Sequence, residues 1–155
     1  MSAEEWRAVV GYEGLYEVSS LGNVRSWTPR KNGEPLTPWL NRNGYLRVAL
    51  GRDGHHYVHR LVAAAWLGPC PEGQQTRHLD GDKLNNRAPN LAYGSNSDNL
   101  LDSVRHGTHP WASRTHCPRG HEYAGSNLYV DPSGRRSCRT CRRERYALER
   151  ARVTA

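Results

Sequence analysis

Arg77-His78-Leu79-Asp80-Gly81, followed by Asn90 and then Asn99, is the stretch on which the reading of this chain turns. A short strand ends at His78. The segment from Asp80 to Pro89 is rich in Asn, Asp and Gly, as a loop requires, and Leu91-Ala92-Tyr93 makes a second short strand. Ser95 or Ser97 then caps a helix running to about Arg105, with Asp98 in its first turn, where the helix dipole favours an anion. The order strand, loop, strand, helix sets an imidazole at a strand end facing a carboxamide on the helix. Histidine, with an unperturbed pKa of about 6.5, is mostly neutral at pH 7 and can take a proton from water. An Asn carbonyl suits magnesium, a hard cation that prefers oxygen and keeps several waters.

Upstream, Tyr16-Glu17-Val18-Ser19 and Val24-Arg25-Ser26-Trp27 flank Ser20-Leu21-Gly22-Asn23, the pattern of a hairpin. Tyr45 to Leu50 alternates as a half-buried strand, and Gly51-Arg52-Asp53-Gly54 turns the chain into His55-His56-Tyr57-Val58. From His59 to Leu67 the apolar residues Leu61, Val62, Ala65 and Trp66 fall at helical spacing, and Gly68-Pro69 stops the run. The fold class expected is α+β. Its parts are a β-rich module over residues 1–57, the strand–loop–strand–helix unit over 58–108, a linker over 109–116 and a basic module over 117–155.

The chain has no Phe but five Trp and eight Tyr, so its cores are small and polar-edged. Its net charge of +7 is placed unevenly: residues 1–112 carry +1 and residues 113–155 carry +6. Twenty of the 22 cations are arginine, whose planar fork matches phosphate. A basic tail of this kind points to nucleic acid. No apolar run approaches the roughly 20 residues that span a bilayer. The acidic start Glu4-Glu5-Trp6 lacks a signal-peptide core, so a soluble, cytoplasmic protein with no membrane partner is expected.

Cys117-x3-His121 and, sixteen residues later, Cys138-x2-Cys141 form a four-ligand set with a close pair at each end. Three thiolates and an imidazole select zinc in a closed tetrahedral site, which leaves no open position for catalysis. Leu128-Tyr129-Val130, the Pro132-Ser133-Gly134 turn and Arg135-Arg136-Ser137 read as a hairpin leading into a basic helix through about Arg152. Knuckle, hairpin and helix resemble a zinc-ribbon or treble-clef finger. About 40 residues cannot bury enough surface to fold unaided, so zinc supplies the difference. Cys70 is left as a spare, buried thiol.

The motifs together resemble HNH nucleases of the phage and intron homing type. The match runs through His59-Arg60-Leu61-Val62, Arg77 to Asn86, Asn90-Leu91-Ala92-Tyr93, Ser97-Asp98-Asn99 and Arg105-His106-Gly107-Thr108. Glu5-Trp6-Arg7, Gly11 to Ser19 and Gly22 to Ser26 resemble the small DNA-binding module that precedes such domains. By position, the resemblance makes His78 the general base, Asn99 the ligand of a catalytic Mg2+ or Mn2+, and Asn90 the brace of the inter-strand loop. Many relatives carry a ligand immediately before the histidine; here that residue is Arg77, which has donors and no lone pair. Either the ion rests on Asn99, waters and substrate phosphate while Arg77 clamps the scissile phosphate, or Asp80, Asp98 or His59 supplies a ligand. The first is favoured, because a phosphate clamp is what arginine does well.

His59 stands open between orienting the site and mere packing, and Asn85 and Asn86 read as turn residues. Asp80-Gly81-Asp82 has no Glu twelve positions on and is not a calcium loop. Arg25 and Arg47 at the front, and Arg139, Arg142 and Arg143 in the tail, are the residues expected at DNA. The function expected is a monomeric, double-stranded DNA endonuclease that nicks, from a phage or mobile element. The alternatives are a DNA-binding protein that has lost catalysis, an accessory nuclease of phage DNA packaging, and cleavage of RNA.

Overall fold

Short strands and three helices divide between two compact units, one running to His106 and one from Gly107 onward. The computed structural model of the chain describes residues 3–153. Met1 and Ser2 of the expected N-terminal module, and Thr154 and Ala155 of the C-terminal one, lie outside the described residues.

In the first unit, β1 (Trp6–Ala8), β2 (Tyr16–Ser19), β3 (Val24–Ser26) and β4 (Glu34–Pro35) make an antiparallel sheet in chain order. The β2–β3 turn places Gly22 at φ 92°, a left-handed conformation in which a side chain is strained. Because side chains alternate across a strand, Tyr16, Val18, Val24 and Ser26 enter the core while Glu17 and Arg25 share the other face. There Glu17 Oε2 accepts hydrogen bonds from Arg25 Nε and Trp27 Nε1, both at 2.6 Å. The Arg25 guanidinium lies 4.1 Å from the Trp6 ring centre and 5.1 Å from that of Trp27.

β5 (Trp39–Leu40), β6 (Leu46–Ala49) and β7 (His55–Tyr57) form a second antiparallel sheet, and α1 (Val58–Leu67) follows β7 directly. Val58, Leu61, Val62 and Ala63 of α1 pack in one cluster with Val9, Tyr16, Val18, Val24, Val48, Leu50 and Leu91. This core draws on residues from both sides of the 57/58 division, so the front strands and the helix bury each other. Burying each such side chain stabilises the fold by about 1.5–3 kcal/mol. Gly68, at φ 84°, ends α1, and the Tyr93 hydroxyl donates to its carbonyl at 2.7 Å.

β8 (Gln75–His78) pairs antiparallel with β9 (Leu91–Gly94), with His78 opposite Leu91 and Gln75 opposite Gly94. α2 (Asn96–Arg105) begins on Ser95, whose hydroxyl accepts from the Asp98 N–H while the Asp98 carboxylate accepts from the Ser95 N–H, a reciprocal cap. The short strands β1, β4 and β5 carry no alternation long enough to read. One reading is corrected: Cys70 is exposed, with its thiol 3.3 Å from the Gln74 carbonyl in the turn after α1, because Gly68-Pro69 carries the chain out of the core.

The second unit holds β10 (Leu128–Val130) and β11 (Arg136–Cys138), an antiparallel hairpin, then α3 (Arg139–Val153). The fully buried apolar side chains among its described residues are Cys117 and Cys138. A core of two thiols cannot order some 45 residues against their conformational entropy. No helix of the described residues is long and apolar enough to cross a membrane.

Candidate active site and metal centre

Strand alternation sends Arg77 and His78 to opposite faces of β8. His78 is buried, and its Nε2 lies 3.0 Å from Asn86 Oδ1. The Asn86 amide nitrogen donates to the Leu84 carbonyl, which sets the amide's orientation and leaves an oxygen toward the imidazole. An oxygen there can only accept, so Nε2 carries the proton and Nδ1 is the free base. Asn86 is 3% exposed, and its backbone packs against the β2–β3 turn: a Cβ added at Gly22 would lie 2.9 Å from Asn86 Cβ. Asn86 is therefore more than the turn residue its sequence context suggests. No local pattern marks it, because its partner His78 lies eight residues back, at the end of β8.

The loop is held shut by its own side chains. Asn90 donates to Asp80 Oδ1 at 2.9 Å and to the Asn85 carbonyl at 2.8 Å, and accepts from the Asp80 N–H. Asn85 donates to Asp80 Oδ2 at 2.7 Å, and Lys83 reaches the Asn43 carbonyl at 3.0 Å. Partial burial pulls the Asp80 carboxyl upward, but hydrogen bonds from Asn85, Asn90 and the Asp82 N–H, with the His78 charge nearby, hold it below the usual carboxylate range. Asp80 is thus an anion whose oxygens are occupied by the loop.

His59 stands at the start of α1, 5% exposed, with its ring 5.2 Å from that of His78 and 5.0 and 5.4 Å from those of Tyr45 and Tyr57. Its Nδ1 is buried without a partner. Burial first, then the charges of His78 and Arg60, push its pKa down to about 3. It therefore stays neutral in the fold while an unfolded chain protonates it below about 6.5. Between those values the unfolded state binds more protons, so acidification costs stability by up to about 1.4 kcal/mol per pH unit. Urea midpoints measured from pH 7 down to 4 should fall, and His59→Gln should flatten that fall.

On the opposite face, Arg77 crosses Gly94 to reach α2, where it pairs with Asp102, a buried carboxylate that also meets Arg105 at 3.3 Å. Gly94 is glycine for this reason: a Cβ there would lie 2.6 Å from Arg77 Nε and 3.2 Å from Asp98 Cβ. Gly94→Ala should force Arg77 off Asp102 and lower stability by about 1–3 kcal/mol, read as a reduced thermal midpoint. Asn99 is exposed one turn into α2 and its side chain makes no hydrogen bond. The structure thus brings His78 together with Asn86 and His59, and brings Arg77, Asp98 and Asp102 together. Among the described residues no direct contact joins His78 to Asn99. Asp98 Oδ2 is committed to the helix cap, where the Ser95 hydroxyl and N–H hold its pKa down. Asn99 is one of the exposed side-chain oxygen donors in the first turns of α2, with Asn96 and Ser97.

Arg47 donates to the His55 carbonyl at 2.6 Å and lies 4.9 Å from the Tyr57 ring, and Arg25 is sandwiched as described. Both have intramolecular partners. Arg139, Arg142 and Arg143 are exposed on α3.

In the second unit, Cys117 Sγ, His121 Nδ1, Cys138 Sγ and Cys141 Sγ all lie within 4.8 Å of one another. Individual separations are 3.6 Å for Cys117–Cys141, 3.2 Å for His121–Cys141 and 3.7 Å for His121 to Cys117 and to Cys138. A tetrahedron with bonds of about 2.0–2.3 Å has edges of about 3.3–3.8 Å, so the donor set fits zinc. The Cys141 N–H faces Cys138 Sγ at 3.4 Å, a contact that favours a thiolate. Glu144 sits 3.7 Å from the far nitrogen of His121 and 2.7 Å from Arg119, an outer support of the ligand ring.

Residues 4–51 match the NUMOD4 motif and residues 56–101 match an HNH endonuclease family, HNH_3. The chain is 36% identical over 107 residues to DNA endonuclease I-HmuI of Bacillus phage SP01, covering 67% of this chain and 60% of that protein. It is 34% identical over 110 residues to uncharacterized HNH endonuclease L247 of Acanthamoeba polyphaga mimivirus, covering 66% of this chain and 26% of that one. The chain therefore spans less than two thirds of the length of these curated relatives. A solved structure of DNA binding and cleavage by the HNH homing endonuclease I-HmuI is similar with a TM-score of 0.57 at 28% identity, over 97% of this chain and 87% of that one. The strand–loop–strand–helix site lies inside the HNH match and the front sheet inside the NUMOD4 match, so the chain belongs to the HNH endonuclease family, with an N-terminal NUMOD4 module.

Proposed function

We propose that this chain is a metal-dependent endonuclease of the phage or homing type that hydrolyses phosphodiester bonds of double-stranded DNA. One observation carries the reading: His78 Nε2 lies 3.0 Å from the Asn86 side-chain oxygen inside the HNH-matched region, a contact that puts the proton on Nε2 and leaves Nδ1 to act as a base. In this reading Nδ1 takes a proton from the attacking water, and the neutral His59 and the aromatic rings beside it keep a second cation away from the imidazole. Asn90 keeps the loop closed so that the Asn86–His78 pair stays in register.

Asn99 would hold a Mg2+ or Mn2+ ion, completed by water and phosphate oxygens, and the ion would stabilise charge on the leaving oxygen. With Arg77, which offers no lone pair, at the neighbouring position, Asn99 would hold the ion weakly until substrate phosphate adds its oxygens. Arg77, engaged by Asp102, braces β8 against α2. A single site cuts one strand, so a monomer nicks. Zinc is the ion proposed for the Cys117, His121, Cys138 and Cys141 set.

The test is conversion of supercoiled plasmid to nicked circles with Mg2+ or Mn2+. Plasmid that stays supercoiled under both ions, while still shifted by the protein on a gel, favours the second reading, a DNA-binding protein without catalysis. The observation behind that alternative is the ion pair that holds Arg77 at the ligand position.

A further inference from the structure

The second unit carries a cleft of about 400 Å³ between the β10–β11 hairpin and α3, lined by Asp131, Arg135, Arg136, Ser137, Arg142 and Arg145 together with the thiols of Cys138 and Cys141. Four guanidiniums meet one carboxylate there. That carboxylate is spent on its own turn, where Asp131 Oδ1 accepts from the Ser133 and Arg135 N–H groups and from the Ser133 hydroxyl. A zinc ion with three thiolates and a neutral imidazole would add about one negative charge, so the cleft stays net cationic.

The arginines are arranged and not merely gathered. Arg136 donates to the carbonyls of Trp111 and Ala112 at 3.0 and 2.9 Å and lies 4.8 Å from the Tyr123 ring, which makes it a fixed wall. Arg142 and Arg145 flank Tyr146, with guanidinium carbons 5.7 and 5.8 Å from its ring centre, and Arg142 Nε donates to the Tyr146 hydroxyl at 3.4 Å. Arg135, on the hairpin, and Arg145, on the helix, are exposed and form no ion pair at contact distance among the described residues; Arg135 lies in the field of Asp131, and Arg145 faces the Tyr146 hydroxyl. At about 100° per residue, Arg145 lies about 120° and about 160° around α3 from Arg139 and Arg143, with Arg142 about midway between Arg139 and Arg145.

We infer that this cleft is a phosphodiester clamp that grips the DNA backbone between hairpin and helix, and that Arg135 and Arg145 are its working jaws. The inference rests on the reading of the chain as a DNA endonuclease. It assigns the tail's DNA contact to the cleft and away from the Arg139–Arg143 side of the helix. A backbone clamp positions the chain on the duplex without reading sequence.

The experiment uses the full zinc-loaded chain, Arg135→Ala/Arg145→Ala and Arg139→Ala/Arg143→Ala, each first shown by circular dichroism to retain its fold. Affinity for a labelled duplex is measured by anisotropy over a salt series. Loss of two phosphate contacts should make the slope of log affinity against log salt shallower by roughly 2 in the cleft pair and leave it unchanged in the other pair. An unchanged slope in the cleft pair, or equal changes in both pairs, would overturn the clamp. Plasmid nicking by the wild type is followed in parallel. Absence of nicking defeats the proposed activity while the slopes still judge the clamp, and nicking with indifferent slopes defeats the clamp alone.

Discussion

His78→Ala is expected to lower plasmid nicking by about 10²–10⁴-fold, the usual contribution of a positioned general base, while duplex affinity stays within a factor of two or so. The expectation follows from where the ring sits. His78 is buried at the end of β8, one nitrogen is tied to Asn86, and the other is the one proposed to meet water. Removing it takes away the proton acceptor without touching the arginines that hold phosphate. Asn86→Ala should reduce nicking by a smaller factor, because the ring persists but loses what selects its tautomer. Asn86→Asp should restore part of the rate, since a carboxylate oxygen can accept the same proton. A His78→Ala protein that nicks at the wild-type rate would remove the histidine from the chemistry.

Zinc removal is expected to unfold the second unit and leave the first intact. Cys117 and Cys138 are the buried apolar side chains of that unit, and both belong to the ligand set. Structural zinc in small fingers has apparent binding free energies on the order of 10–16 kcal/mol, far more than a two-residue core can replace. A strong chelator, or Cys138→Ser, should therefore abolish the helical signal of α3 and open the chain to proteolysis after Gly107. A fragment ending near His106 should survive, because its core of Val, Leu and Tyr residues is closed without metal. Elemental analysis should find about one zinc per chain. A chelated protein whose circular dichroism and protease pattern do not change would mean that the cysteines hold no structural ion.

The elements with strong local signals were legible. The β2–β3 hairpin follows from alternating residues around a glycine that must adopt positive φ, and α1 from Leu61, Val62, Ala65 and Trp66 at helical spacing. A cap of α2 at Ser95 or Ser97 could be read, and the fold uses Ser95, with Asp98 answering it three residues on. Spacing likewise pointed to the four ligand atoms of the second unit, because close pairs at each end of a hairpin converge by geometry. What escaped were the partners that individual side chains find on other elements. Arg25 and Arg47 look like free cations in one dimension, yet the fold lays them on Trp6, Trp27 and Tyr57, where they meet internal acceptors.

Local rules, 3.6-residue and two-residue periods, caps, turns and ligand spacing, were enough to determine the order strand, loop, strand, helix, and the resemblance of the motif residues on it pointed to the family. Tertiary structure alone decided that Arg77 points at Asp102 across a glycine, that Asn86 holds His78, and that His59 is buried beside it and kept neutral. The reason is physical. Periodicity says which face of an element is buried, while hydrogen bonds, steric clearance and desolvation depend on what another segment brings to that face.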